Sequence, residues 1–185
     1  MVTTIYLVRH AHSTSTPDEY NRTLSAQGVI AASQVTDKLT KENIHHVYSS
    51  PYRRAIQTIE GTARQLDKTI GLIENVKERI LSDKPVKDFQ TAITKVWGNY
   101  DFAFTGGESN YEAQHRGVKS IFELLEIHQN ENIVIGTHGN IMVLIMNYFD
   151  RRYDFSFWEK LEMPAIYKLV FREKELQEIQ KIDVD

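Results

Sequence analysis

Cysteine is absent from the 185 residues, which excludes disulfide bridges, zinc–thiolate sites and a thiol nucleophile. Proline and glycine are sparse, four and nine, and nowhere gather into a linker. No internal repeat or low-complexity tract interrupts the chain, so residues 1–185 read as a single domain. No apolar run approaches the roughly 20 residues that span a bilayer; the longest is Ile141-Met142-Val143-Leu144-Ile145-Met146. The amino terminus lacks the basic residue that precedes the apolar core of a secretory signal, and Arg9 cuts its apolar run short. A soluble cytoplasmic protein is the expectation. Positive charge is not in surplus either: the net charge is −3, which argues against a nucleic acid or an acidic membrane as partner. A small anionic substrate stays open, because a few arginines make a pocket positive on a mildly acidic protein. The pattern sets no oligomeric state.

What is present is an ordinary globular balance, 41% hydrophobic and 25% charged, arranged in alternating β- and α-type segments. Val2 to Val8 is a β-branched strand that breaks into Arg9-His10-Ala11-His12-Ser13. Ser25 is a candidate N-cap for a helix to about Lys41, with Val29, Ala32, Val35 and Leu39 at helical spacing. A strand over His46–Ser49 leads into Ser50-Pro51, read as N-cap and first residue of a helix that continues to about Leu66. Thr69–Ile73 reads as a strand, a helix is expected around Phe89–Trp97, and Glu108 to Gln129 reads as an amphipathic helix. Asn132–Thr137 has the composition of a strand buried on both faces, followed by His138-Gly139 and a helix over Ile141–Phe149. A short helix near Phe155–Leu161 and two strands, Ile166–Phe171 and Leu176–Ile182, complete the chain, with Tyr148, Phe149, Tyr153, Phe155 and Phe157 assigned to the core. Such alternation predicts an α/β fold, a three-layer α/β/α sandwich with a largely parallel central sheet.

In that architecture the strand tips bring Arg9 and His10, the Ser49-Ser50 turn before Arg54, and His138 to one edge, where open α/β sheets bind ligands. The combination suits phosphoryl transfer. A neutral imidazole is a nucleophile near pH 7, arginine holds two phosphoryl oxygens at once, and a nearby carboxylic acid would protonate a departing alkoxide. The expected partner is a small phosphorylated substrate.

The same blocks carry a resemblance. Arg9-His10-Ala11-His12-Ser13, Leu24-Ser25 with Gly28, Ser49-Ser50-Pro51-Tyr52-Arg53-Arg54-Ala55-Ile56-Gln57-Thr58, Gly106-Gly107-Glu108-Ser109 and Thr137-His138-Gly139-Asn140 together resemble the histidine phosphatase superfamily, the phosphoglycerate-mutase-like group. The resemblance implies a phosphohistidine intermediate on His10, with Arg9, Arg54 and His138 binding the phosphoryl oxygens and water releasing phosphate without any metal or organic cofactor. It also implies a glutamate donor in a Leu-x-Glu arrangement after the third strand. Aligning Glu78-Arg79-Ile80-Leu81-Ser82-Asp83 to that arrangement puts Ser82 at the glutamate position, so Asp83 is the expected acid, with Glu108 and Glu78 as the other candidates. His12, Ser13, Glu108 and Ser109 are candidate substrate contacts. Three other readings compete with a phosphatase: a mutase, a non-catalytic phospho-ligand binder, and a metal-dependent hydrolase with His10, His12 and His138 as ligands.

Overall fold

A computed structural model describes residues 1–184. Strands β1 (Val2–Arg9), β2 (His46–Ser49), β3 (Ile70–Leu72), β4 (Asn132–Thr137), β5 (Ala165–Arg172) and β6 (Glu175–Ile182) form one sheet in the order β3-β2-β4-β1-β5-β6. β3, β2, β4 and β1 are mutually parallel; β5 runs antiparallel to β1 and β6 antiparallel to β5. The helices are α1 (Ala26–Leu39), α2 (Arg53–Gln65), α3 (Phe89–Gly98), α4 (Asn110–Ile127), α5 (Gly139–Phe149) and α6 (Phe155–Glu159). The expected three-layer α/β architecture is therefore observed. Among the described residues, no helix is long and apolar enough to cross a membrane.

Strand periodicity divides the core in two. Ile5, Leu7, Ile133 and Ile135 point to one face, where they pack with Val96, Ile121, Leu125 and α5. Tyr6, Val8 and Val134 point to the other, with Val35, Leu39 and Ile59 of α1 and α2. Successive strand residues face opposite sides of a sheet, so β1 and β4 bury both faces and need the unbroken apolar runs they have. At its base the sheet joins α4 through Asn130, whose positive φ of 62° suits the tight turn into β4.

Local chemistry sets most helix starts. The Ser25 hydroxyl accepts from the Gly28 amide as predicted, an interaction worth about 1 kcal/mol. Ser109 and Glu112 form a reciprocal capping box on α4. Three expectations are corrected. α2 opens at Arg53, capped by the Tyr52 backbone without a side-chain bond, because the Ser50 hydroxyl is engaged by His138 and the Tyr52 amide. Val29 is exposed, the buried stripe of α1 running through Gly28, Ala32, Val35 and Leu39 instead. Tyr148 is also exposed, since α5 turns that position outward at its last turn, while Phe149 packs against the core.

Candidate active site

The three adjacent strands β2, β4 and β1 end at one level: Arg9 pairs with Thr137, and Ser49 with Gly136. The ladder continues one residue further, the His10 amide donating to Thr137 O (3.0 Å) and the Ser50 amide to Gly136 O (2.8 Å). His10, Ser50 and His138 thus stand side by side on backbone already fixed by the sheet. The His10 and His138 rings meet edge to face at 5.1 Å between centroids.

His10 is buried, and its hydrogen bonds define its tautomer. Nδ1 lies 2.8 Å from Ala11 O, and a carbonyl oxygen only accepts, so Nδ1 carries the hydrogen. Arg54 donates its Nε–H to His10 Nε2 at 3.2 Å, and a guanidinium only donates. Both partners therefore assign the lone pair to Nε2. Burial lowers the imidazole pKa to about 3, outweighing the Ala11 bond, and Arg54 and Arg9 add to the lowering. His138 is fully buried, and its pKa is likewise pushed well below the ordinary value by desolvation and then by His10 and Arg54. Its Nε2 bonds the Ser50 hydroxyl (2.7 Å). That hydroxyl also accepts from the Tyr52 amide, and His138 Nδ1 is buried without a partner; with the hydroxyl hydrogen donated to Nε2, Nδ1 carries the ring hydrogen as an unspent donor.

Two arginines flank the pair. Arg54 is 2% exposed despite its charge; it lies over the Tyr52 ring and donates Nη1 to Glu19 O. Arg9 donates to the carbonyls of Leu161 and Glu162, while its Nε is buried and unpaired. The Arg9 guanidinium rests on Gly139, where a Cβ would stand 3.0–3.2 Å from Nε, Cζ and Nη2, so the glycine permits the close approach. Desolvation lowers the basicity of Arg9 and Arg54, but guanidinium groups stay charged in proteins. The result is a buried cationic pocket with unspent donors, suited to an oxyanion.

Asp83, the expected acid, makes no hydrogen bond or ion pair with this cluster among the described residues. Asp83 is exposed, and its amide bonds Thr105 O in the loop beside Gly106. One carboxylate that does reach the cluster belongs to Glu78. It accepts from the Asn140 and Ile141 amides, at 3.0 Å each, in the first turn of α5, and its charge acts on both Arg9 and Arg54. Its segment is anchored from two sides. Thr137 Oγ1 donates to Val76 O (2.7 Å). Arg116 donates to the Asn75, Lys77 and Glu78 carbonyls while pairing with both Glu108 oxygens. The signal for Glu78 was Val76-Lys77-Glu78, an apolar-x-Glu pattern directly after β3, with valine in place of leucine. Arg116 carried no signal of its own.

The remaining residues separate. Glu108 bonds Arg116 and the Ile80 amide and so supports the Glu78 segment. Ser109 is a buried helix cap. Ser13 bridges Leu24. His12 is exposed, with Nδ1 2.8 Å from Ser25 Oγ. Among the described residues, His10, His12 and His138 do not form a metal-ligating group, which removes the three-histidine metal hydrolase. Glu19, not anticipated, sits on the cationic pocket, its carboxylate 3.2 Å from Arg54 Nη2 and 2.9 Å from Arg22 Nη1.

Comparison with known proteins gives the family and the fold. A family model of the histidine phosphatase superfamily (branch 1) matches residues 5–182. Phosphoglycerate mutase-like protein 4 of Arabidopsis thaliana is 30% identical over 131 residues, 64% of this chain, which spans 56% of that protein's length. Among solved structures, a mycobacterial glucosyl-3-phosphoglycerate phosphatase superposes with a TM-score of 0.79 at 16% identity, over 98% of this chain and 97% of its own. Phosphoserine phosphatase of Entamoeba histolytica, in complex with 3-phosphoglyceric acid, gives 0.79 at 21% identity, over 98% of both chains.

Proposed function

Since this chain belongs to the histidine phosphatase superfamily, we propose that it is a phosphomonoesterase for a small phosphorylated metabolite, working through a phosphohistidine on His10. The observation that carries the reading is the state of His10, a buried neutral imidazole with its lone pair on Nε2 against the Arg54 guanidinium. A nucleophile held unprotonated beside fixed positive charge is what in-line attack on a phosphoryl group requires.

His10 Nε2 attacks phosphorus, and the bond from phosphorus to the leaving alcohol oxygen breaks. Arg9, Arg54 and the His138 Nδ1–H hold the equatorial oxygens. Glu78, which must enter this step protonated, delivers its proton to the leaving oxygen and, as the carboxylate so formed, takes one from the water that attacks the phosphohistidine. The phosphorus–nitrogen bond breaks, phosphate departs, and the Nε2 lone pair is restored. Positive charge comes from guanidinium groups throughout, so the reaction is proposed to be metal-independent. The likeness to two phosphatases that handle compact phosphorylated acids supports a small substrate.

The test is a panel of sugar phosphates, phosphoglycerates and phosphoserine assayed for phosphate release in chelator, with mass spectrometry of the acid-quenched and alkali-quenched protein. Turnover in chelator and an acid-labile, alkali-stable phosphoryl group on His10 are expected. Phosphate binding without turnover, or turnover that depends on added metal, would overturn the proposal.

Glu19 adds a prediction. Its carboxylate occupies Arg54, one of the guanidinium groups that a phosphoryl oxygen would use, as well as Arg22, and it is exposed enough to leave them. Exposed ion pairs contribute about 0–1 kcal/mol, so Glu19→Gln should tighten inorganic phosphate as a product inhibitor about two- to fivefold. An inhibition constant that stays put or rises would show that Glu19 does not compete for the pocket.

A further inference from the structure

At the opposite end of the sheet from the His10 cluster, where β2 and β4 begin, three side chains from three separate elements converge. His46 opens β2, Glu131 immediately precedes β4, and His128 caps the C-terminus of α4. Glu131 Oε2 lies 2.8 Å from His46 Nε2 and 3.0 Å from His128 Nδ1, and all three atoms fall within 4.8 Å of one another. The two imidazoles overlap at 3.9 Å between centroids with a 32° tilt.

We propose that His46, His128 and Glu131 form a binding site for a divalent transition ion of the zinc class. Four observations support it. The donor set is two imidazole nitrogens and one carboxylate oxygen, a combination that suits zinc, cobalt or nickel and is too nitrogen-rich for magnesium or calcium. Ligands of a tetrahedral ion at about 2.0–2.1 Å stand about 3.3 Å apart, so the two Glu131 contacts need to open by only about 0.3–0.5 Å.

The third observation is that the buried histidine already has an outer partner. His128 Nε2 meets the Tyr48 hydroxyl at 2.7 Å; in the ion-free protein Nδ1–H donates to Glu131, and an ion that displaces this hydrogen would find the ring hydrogen moved to Nε2, where the Tyr48 oxygen accepts it. Such a partner on the far nitrogen is what orients a ligating histidine. Finally, the cluster borders a shallow cavity lined by His45, His46, Tyr48, Lys68, Thr69 and Gly71, through which water could complete the coordination. His45 is not available through Nδ1, which accepts the Asn132 amide.

An ion here would not act on substrate. It would tie the first residue of β2 to the α4–β4 turn, joining segments some 85 residues apart in the chain. It would therefore bind the folded state and stabilise it.

Titration of the full chain with zinc by calorimetry, and with cobalt by visible absorption, in phosphate-free buffer tests this. One ion per chain at micromolar affinity is expected, and zinc at about a hundred times its dissociation constant should raise Tm by about 5–10 °C. His46→Gln and Glu131→Gln should each weaken binding at least tenfold with phosphatase activity unchanged, while His10→Ala should bind as tightly as the natural chain. Cobalt on the unsubstituted protein should also broaden the His46 and His128 ring signals in NMR spectra, a readout that needs no variant to fold. No binding below 100 µM, or binding that survives both substitutions and is lost in His10→Ala, would overturn the site. This result is independent of whether the chain hydrolyses phosphomonoesters.

Discussion

His10→Ala is expected to leave a folded protein that still binds phosphate and turns nothing over, a loss on the order of 10⁴ or more in kcat. Arg9, Arg54 and His138 remain to hold the anion, but no other described side chain offers a lone pair beside the Arg54 Nε. Phosphate release is the measurement, with product binding as the control; a variant retaining a tenth of the natural activity would end the phosphohistidine scheme. The pH dependence follows the same residue. With its pKa near 3, His10 is neutral throughout the working range, so kcat/KM, which reports the free enzyme, should show no acid limb from this group above about pH 4. Stability behaves differently. The unfolded histidine takes up a proton below its ordinary value of 6.5, whereas the folded one resists until about 3. Folding is therefore penalised progressively as pH falls through that window and not above it. His10→Ala should flatten this acid-side decline in Tm.

The second large effect distinguishes the carboxylates. Glu78→Gln should lower kcat about 10²–10³-fold on alkyl phosphates and less than about tenfold on p-nitrophenyl phosphate, whose leaving group departs without a proton. Asp83→Asn should match the natural protein on both. Parallel kcat measurements decide it, and an alkyl-specific loss appearing in Asp83→Asn instead would return the proton donor to the loop. The Glu78 substitution carries a structural cost as well. Glutamine offers one acceptor oxygen where the Asn140 and Ile141 amides now use two, so about 1–3 kcal/mol of stability should be lost at the start of α5. The contrast between the two leaving groups separates that cost from chemistry.

The difference between Asp83 and Glu78 also marks where the chain stops being legible. His10, Arg54 and His138 were readable because each follows a strand, and parallel strands bring their ends to one edge whatever the loops do. Asn132–Thr137 is observed with the predicted limits because an apolar β-branched run allows little else. The segment 74–88 has no such periodicity. Its path is decided by Arg116, far along the chain on α4, and by the Thr137 hydroxyl, contacts that no local pattern announces. The start of α2 differs from its sequence pattern for a related reason: Ser50 looks like a cap until His138, 88 residues away, takes its hydroxyl. Glu19 stayed invisible because exposed acids are common, and only the folded loop shows that this one meets Arg54.

The position of β4 between β1 and β2 has a consequence for how the molecule comes into being. During synthesis the blocks around His10 and Arg54 leave the ribosome first, but β1 and β2 share no edge until Asn132–Thr137 slots between them. A nascent chain that ends before this strand holds His10, Arg9 and Arg54 on segments whose shared neighbour is missing, and it lacks His138. Docking of the middle strand brings His138 to the site, and the carbonyls of Leu161 and Glu162 that hold Arg9 follow later in the chain. Until the middle strand docks, the open edges of β1 and β2 are the part of the protein most exposed to misassociation.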